Sequence, residues 1–191
     1  MDTDLARERI LDAAEDLFYA RGVQAVGMDV IRDAAGVTLR RLYQLFPSKG
    51  DLVEAYLARR DARWLHSLAT HVDAAAQTPE ERLLAVFDWL EDWFTQPGFH
   101  GCAFINSFGE LGGTSPQVAA AARHHKDGFH AYLRELATAA GATPGTGTQI
   151  ALLAEGAMTT AAISGTPAPA GQAKQAARLL LTLDRPATPT R

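Results

Sequence analysis

The stretch from Gly36 to Lys49 constrains this chain more than any other. It reads Gly36-Val37-Thr38-Leu39-Arg40-Arg41-Leu42-Tyr43-Gln44-Leu45-Phe46-Pro47-Ser48-Lys49. The turn Ala34-Ala35-Gly36-Val37 closes one short apolar helix and leads into a second, glycine being the residue that ends helices at least steric cost. Thr38 can cap the second helix through its hydroxyl. That helix carries Arg40, Arg41, Tyr43 and Gln44, and Pro47-Ser48-Lys49 stops it and starts a third. A short helix, a glycine turn and a short polar-faced helix make a helix-turn-helix. In such a unit the second helix enters the DNA major groove.

Charge is distributed to match. The chain is acidic overall, with a formal charge of −4. Yet no acid stands between Asp33 and Asp51, where Arg40, Arg41 and Lys49 are all basic. A general nucleic-acid coat is excluded, but a local site is not, because affinity comes from a few phosphate contacts on one face. With 47% hydrophobic residues among 191, a sizeable core can be buried. The single cysteine, Cys102, excludes a disulfide framework and fits a reducing cytosol, so a cytoplasmic location is expected. Met1-Asp2-Thr3-Asp4 has no apolar run behind it and does not read as a signal peptide. No run of about 18 apolar residues predicts a membrane span.

The rest of the chain reads as helices. Ile10, Leu11, Ala14, Leu17 and Phe18 give Leu5 to Ala20 an amphipathic spacing, ended by Gly22. Gly27 stands as a permissible N-cap to a second helix whose buried face is Met28, Ile31, Ala34 and Ala35. In the third helix Leu39, Leu42 and Phe46 are expected to look inward. Ser48 and Asp51 form a variant capping box for a long fourth helix running to about Ala76. Thr78-Pro79-Glu80-Glu81 starts a fifth, with Leu83, Leu84, Phe87, Leu90 and Phe94 as its buried stripe and Pro97-Gly98 as its end. Gly101 to Leu111 lacks strand alternation and reads as a short buried helix. Ser115-Pro116 opens a helix to about Ala140, residues 142–148 read as a loop, and Ile150 to Ser164 as a nearly uncharged helix. The Pro-rich segment 165–171 is expected to break the chain before a last helix from Gln172 to Leu183. The expected fold is therefore all-α, with about nine helices. A helix-turn-helix domain is expected over 1–54, a second helical domain over 55–184, and a Pro/Thr tail over 185–191.

The helices at 150–164 and around Leu179-Leu180-Leu181 are too apolar to face water on both sides. They can form the core of a monomeric bundle, or a four-helix interface with two helices from each chain. The second is favoured because helix-turn-helix proteins commonly read a two-fold site as dimers. Leu152, Leu153, Met158, Ala161, Ala177 and Leu180 are the candidate interface residues.

Residues 7–57 resemble the TetR family of transcriptional regulators. The resemblance rests on Arg9-Ile10-Leu11-Asp12-Ala13-Ala14, Leu17-Phe18, Gly22, Ile31, Ala35-Gly36-Val37-Thr38, Leu42-Tyr43, Phe46, Ser48-Lys49 and Leu52. Three positions depart from the family pattern. Gly27 replaces the usual Ser or Thr cap, and Arg40-Arg41 stand where Gly-Thr often precedes Leu-Tyr. A shorter match, Gly101-Cys102-Ala103-Phe104-Ile105-Asn106, is similar to the sixth helix of one subgroup.

The resemblance implies binding to a double-stranded operator as a homodimer, release when a small-molecule effector binds, and no enzymatic activity, cofactor or metal. Repression is the commoner behaviour among such proteins. Arginine can donate bidentately to guanine and glutamine to adenine, so Arg40, Arg41 and Gln44 are the candidate base readers. Thr38, Tyr43 and Lys49 are the candidate phosphate contacts, and Leu39 belongs to the same surface. Trp64, Phe87, Trp93, Phe104, Phe108 and Phe129, with Asn106, Cys102 or a histidine as polar group, are candidates for lining a pocket for a small, mostly hydrophobic effector.

Other functions find less support. Cys102 invites a thiol-sensor reading, but its neighbours are apolar and no Lys or Arg lies near it in sequence, so an inert buried cysteine is favoured. The six histidines show no i, i+4 pair, which argues against a metal site. No nucleophile elbow or phosphate loop is present. The alternative class is a helical small-molecule-binding protein that does not bind DNA.

Overall fold

The computed structural model describes residues 2–75 and 78–184. Within them it contains nine α-helices and no strand, as the hydrophobic periodicity requires. These are α1 (Thr3–Arg21), α2 (Met28–Ala35), α3 (Leu39–Leu45), α4 (Lys49–Ala75), α5 (Pro79–Phe94), α6 (Ala103–Leu111), α7 (Pro116–Ala139), α8 (Pro144–Ser164) and α9 (Ala168–Asp184). The tail expected at 185–191 and the end of the fourth helix at Ala76 lie outside the described residues. The described residues divide into two compact units, one of residues 2–63 with 102–125, the other of those within 64–101 with 126–184. α4 and α7 each contribute to both.

In the first unit α1, α2 and α3 pack on one another. Ile10, Ala14 and Phe18 of α1 meet Ile31, Leu42, Phe46, Leu52 and Tyr56 in the core, all buried. The Phe18 and Tyr56 rings sit 5.6 Å apart. Burial pushes the Tyr56 hydroxyl above its ordinary titration range, with the nearby Arg60 charge opposing it. α4 is tied to α1 by charge: the Arg59 guanidinium reaches Glu8 (3.2 Å), Asp12 (2.8 Å) and Glu15 (2.8 Å). Arg60 reaches Glu15 and lies over the Tyr19 ring. Two inward expectations fail here. Ala34 is exposed, and Leu39 is 39% exposed, because α2 and α3 are so short that their neighbours cover only a narrow stripe of each.

In the second unit α5, α8 and α9 pack mutually. The buried stripe expected on α5 is present, but Ala85, Val86, Trp89 and Trp93 are buried too, so the helix is enclosed over most of its circumference. The Thr78 hydroxyl and Glu81 carboxylate form a full capping box at its start. Glu155, the one charged side chain of α8, is held by Lys126 (2.7 Å) and His130 (3.2 Å). Lys174 of α9 is held by Asp88 of α5.

Two boundaries and one burial pattern differ from the sequence expectation. Residues 144–148 form the first turn of α8 and not a loop, because Thr143 caps the helix by accepting from the Thr146 N–H and Pro144 occupies a position where no amide is needed. The same logic starts α9 at Ala168, where the Thr166 hydroxyl accepts from the Ala168 amide, so the break is shorter than 165–171. α6 is buried on one side only, through Ala103, Phe104 and Ser107, and leaves Ile105, Asn106 and Phe108 exposed.

Candidate nucleic-acid interface

The turn between α2 and α3 is built by the backbone. Gly36 adopts φ 63°, ψ 37°, a left-handed conformation that costs glycine little. Its N–H points back to the carbonyls of Arg32 and Asp33, and the Val37 N–H donates to Arg32 O at 3.3 Å. This satisfies carbonyls that the helix end would otherwise leave open. Thr38 then caps α3, accepting from the Arg41 N–H at 3.2 Å. After α3 the chain turns at Pro47, and Ser48 and Asp51 cap α4 reciprocally: the Ser48 N–H donates to Asp51 (2.8 Å) and the Asp51 N–H to the Ser48 hydroxyl (3.1 Å).

α3 is pinned by Leu42, which is fully buried, and by Phe46 just beyond it. Arg7 lies over the outer face of the Phe46 ring at 4.6 Å. The remaining side chains of α3 point away from the core: Leu39, Arg40, Tyr43 and Gln44 are exposed and Arg41 is half-buried. The side chains of Arg40, Tyr43 and Gln44 make no hydrogen bond or ion pair among the described residues, so their donors are available to an incoming ligand. Arg41 is partly engaged, donating from Nη2 to the Thr3 hydroxyl at 2.7 Å. Arg32 is neutralised by Asp29 and Asp33 and adds no free charge. Lys49 opens α4 half-buried. Desolvation lowers its ammonium below the ordinary lysine range, and the Glu110 carboxylate opposes that shift. A positive, hydrogen-bond-donating helix face on a rigid three-helix support is what reading of a DNA groove requires.

Comparison with known proteins agrees. Residues 10–56 match the family model described as bacterial regulatory proteins, tetR family. Over most of its length the chain is similar to the crystal structure of SCO4454, a TetR-family transcriptional regulator from Streptomyces coelicolor. The TM-score is 0.83 with 30% identity, covering 95% of this chain and 96% of that one.

The chain belongs to the TetR family.

Curated relatives match over part of their length. The uncharacterized HTH-type transcriptional regulator Rv1255c of Mycobacterium tuberculosis is 42% identical over 82 residues, which are 43% of this chain and 40% of that protein. The HTH-type transcriptional activator FasR of Mycolicibacterium smegmatis is 37% identical over 120 residues, 61% of this chain and 52% of FasR. The matches thus span between two fifths and about half of these relatives. This TetR-family chain is a helix-turn-helix DNA-binding transcriptional regulator.

The other candidate residues fall in different places. Trp64, Phe87, Trp93 and Phe129 lie in the second unit and are buried, with Trp64 edge-on to Trp93 (5.7 Å) and Phe129 (5.1 Å). Cys102, Phe104, Asn106 and Phe108 lie in the first. Cys102 is 4% exposed at the start of α6, Phe104 is buried, and Asn106 and Phe108 face out. A cavity of about 380 Å³ opens in the first unit between α4, α6 and α7, with Leu57, Ala58, Phe104, Gln117 and Asp61 in its wall. Among the candidate interface residues, Met158, Ala161 and Ala177 are buried within the chain itself. Leu152 is exposed, and Leu153 and Leu180 are half-buried. The exposed large apolar side chains of α8 and α9 are instead Leu152, Ile163, Leu179 and Leu183, with Ile163 and Leu183 more than four-fifths exposed at 83% and 81%.

Sequence reasoning missed three contributors. Thr3 holds Arg41, and the acids of α1 engage the arginines of α4. Glu110 of α6 binds the turn between α1 and α2. The last had a visible signal, being the only acid between Asp92 and Asp127 and standing in an apolar segment.

Proposed function

We propose that this chain is a ligand-responsive repressor that binds a palindromic operator as a homodimer. A small, mostly hydrophobic effector bound to the second half of the chain releases it. Residues 1–54 form the DNA-binding domain and residues 55–184 carry effector binding and dimerisation. The observation that carries the reading is the outer face of α3, where Arg40, Tyr43 and Gln44 stand exposed and unengaged on a helix fixed by Leu42. Arg40 and Gln44 read base edges, with Arg41 joining when it leaves Thr3. Thr38, Tyr43 and Lys49 contact phosphates, and Leu39 packs against the groove wall. Its DNA partner puts the protein in the cytoplasm.

Dimerisation is supported by the outer face of α8 and α9. Leu152 and Ile163 are three turns apart on α8, and Leu179 and Leu183 are one turn apart on α9. Exposed apolar side chains so grouped favour burial against a second copy. The effector reading is supported by the cavity beside Phe104 and by the aromatic cluster around Trp64. Since FasR is an activator, regulation by this chain is tested separately from binding.

The test is to select duplexes from a random pool with the full chain, sediment the complex, and challenge it with a panel of apolar compounds. An enriched inverted repeat carrying two chains, released by one of the compounds, is the expected result. A pool with no enriched sequence would sink the DNA reading, and a complex that no compound displaces would remove the effector clause alone.

A further inference from the structure

Glu110 makes a contact that a self-contained DNA-binding domain does not need. It sits on α6, 87 positions from the residue its carboxylate first engages. One carboxylate oxygen accepts from the Val23 N–H at 3.1 Å and the other from the Gln24 N–H at 2.7 Å. Its own carbonyl accepts from the Gln24 side-chain amide at 2.6 Å. The turn is shaped to receive it. Gly22 adopts φ 83°, and a Cβ built there would lie 2.8 Å from a Glu110 carboxylate oxygen. A side chain at position 22 and a carboxylate at position 110 thus compete for one space. Successive backbone amides donating to one carboxylate make a charge-assisted clamp.

We infer that Glu110 is a positioning residue for DNA reading: from α6 it clamps the α1–α2 turn, so that operator affinity depends on where α6 stands. α2 begins at Met28, four residues after Gln24, and α2 carries the turn that sets α3. Freeing the α1–α2 turn lets α2 and α3 sample orientations that do not fit the groove, and apparent affinity falls by the fraction of competent molecules. Through this clamp a shift of α6 reaches the reading helix. That clause rests on the effector reading above, whereas the positioning role needs only DNA.

The sign of the effect separates positioning from plain electrostatics. Glu110 places a negative charge close enough to Lys49 to act on it, and Lys49 is a proposed phosphate contact. Were Glu110 merely an acid near the DNA, its removal would tighten binding. As a clamp, its removal weakens binding.

The experiment uses the full chain and the duplex it selects from a random pool, read by fluorescence anisotropy well below the melting temperature. Amide exchange at Val23 and Gln24 is measured alongside. Glu110→Ala is expected to weaken binding about tenfold, with loss of protection at both amides. Glu110→Gln keeps the volume and one acceptor oxygen, and should fall between Glu110→Ala and wild type. Gln24→Ala removes only the third hydrogen bond and should weaken binding about twofold to threefold. Should Glu110→Ala fail to fold, the two milder variants decide. Wild-type or tighter binding by both milder variants would overturn the clamp, as would unprotected Val23 and Gln24 amides in the wild type. A wild-type chain that selects no duplex would overturn DNA reading itself and the clamp with it.

Discussion

The outer face of α3 and the outer face of α8 and α9 are built on opposite physical plans. α3 presents Arg40, Tyr43 and Gln44 from a short, capped helix, with Arg41 held in reserve by Thr3. α8 and α9 present Leu152, Ile163, Leu179 and Leu183, and the single charged side chain of α8 is engaged with Lys126 and His130. A surface of free donors suits phosphate and base edges, whose attraction is screened by salt. A surface of bare hydrocarbon suits another copy of itself, whose attraction is not. One chain therefore carries a salt-sensitive face and a salt-insensitive one.

Substitutions that exchange these characters break the comparison most strongly. Leu179→Glu with Leu183→Glu places like charges on the proposed two-fold face, where each change would appear twice. The expected cost is several kcal/mol, about a thousandfold in dimer dissociation by sedimentation equilibrium. An unchanged dimer would move the interface elsewhere. Leu42→Ala acts on the support of α3, and its complete burial predicts a loss of about 2–5 kcal/mol in chemical denaturation of the full chain. Arg40→Ala should cost about 1–3 kcal/mol of operator affinity with little change in stability. Arg41→Ala should cost less, since the hydrogen bond to Thr3 must be given up on binding. The opposite order in a titration would show that Arg41 is the principal reader. Thr38→Ala, the smallest change, removes a cap worth about 1 kcal/mol and should lower stability by that amount.

The same two faces show what the sequence made legible. α3 was readable because its determinants are local: Gly36 ends α2, Thr38 starts α3, Pro47 stops it, and Leu42 lies where a seven-residue helix must be anchored. Its finer assignment was not. Leu39 and Ala34 had the right spacing to be buried, but so short a helix is covered only where α1 happens to cross it. On α8 the difficulty was different. An almost uncharged helix has no polar side to mark the outside, so Met158 and Ala161 could equally have faced a partner or the core. Only packing against α5 separates them. Threonine and proline at residues 143–144 and 166–169 read as loop by composition, whereas their spacing makes helix caps. The Glu110 contact is legible least of all, because its partners are 86 and 87 positions away and are backbone amides without side-chain identity.

The central claim is that two copies of the α3 face read DNA together. It is tested most directly by selecting duplexes from a random pool with the wild-type chain and with Arg40→Ala, and comparing the enriched sequences. The account predicts inverted half-sites about 10–10.5 base pairs apart, or a multiple of that spacing, for the wild type. For Arg40→Ala it predicts the same spacing with one base pair relaxed in each half-site. A wild-type selection yielding a single unpaired half-site, or an Arg40→Ala selection with every position as sharp as in the wild type, would contradict it.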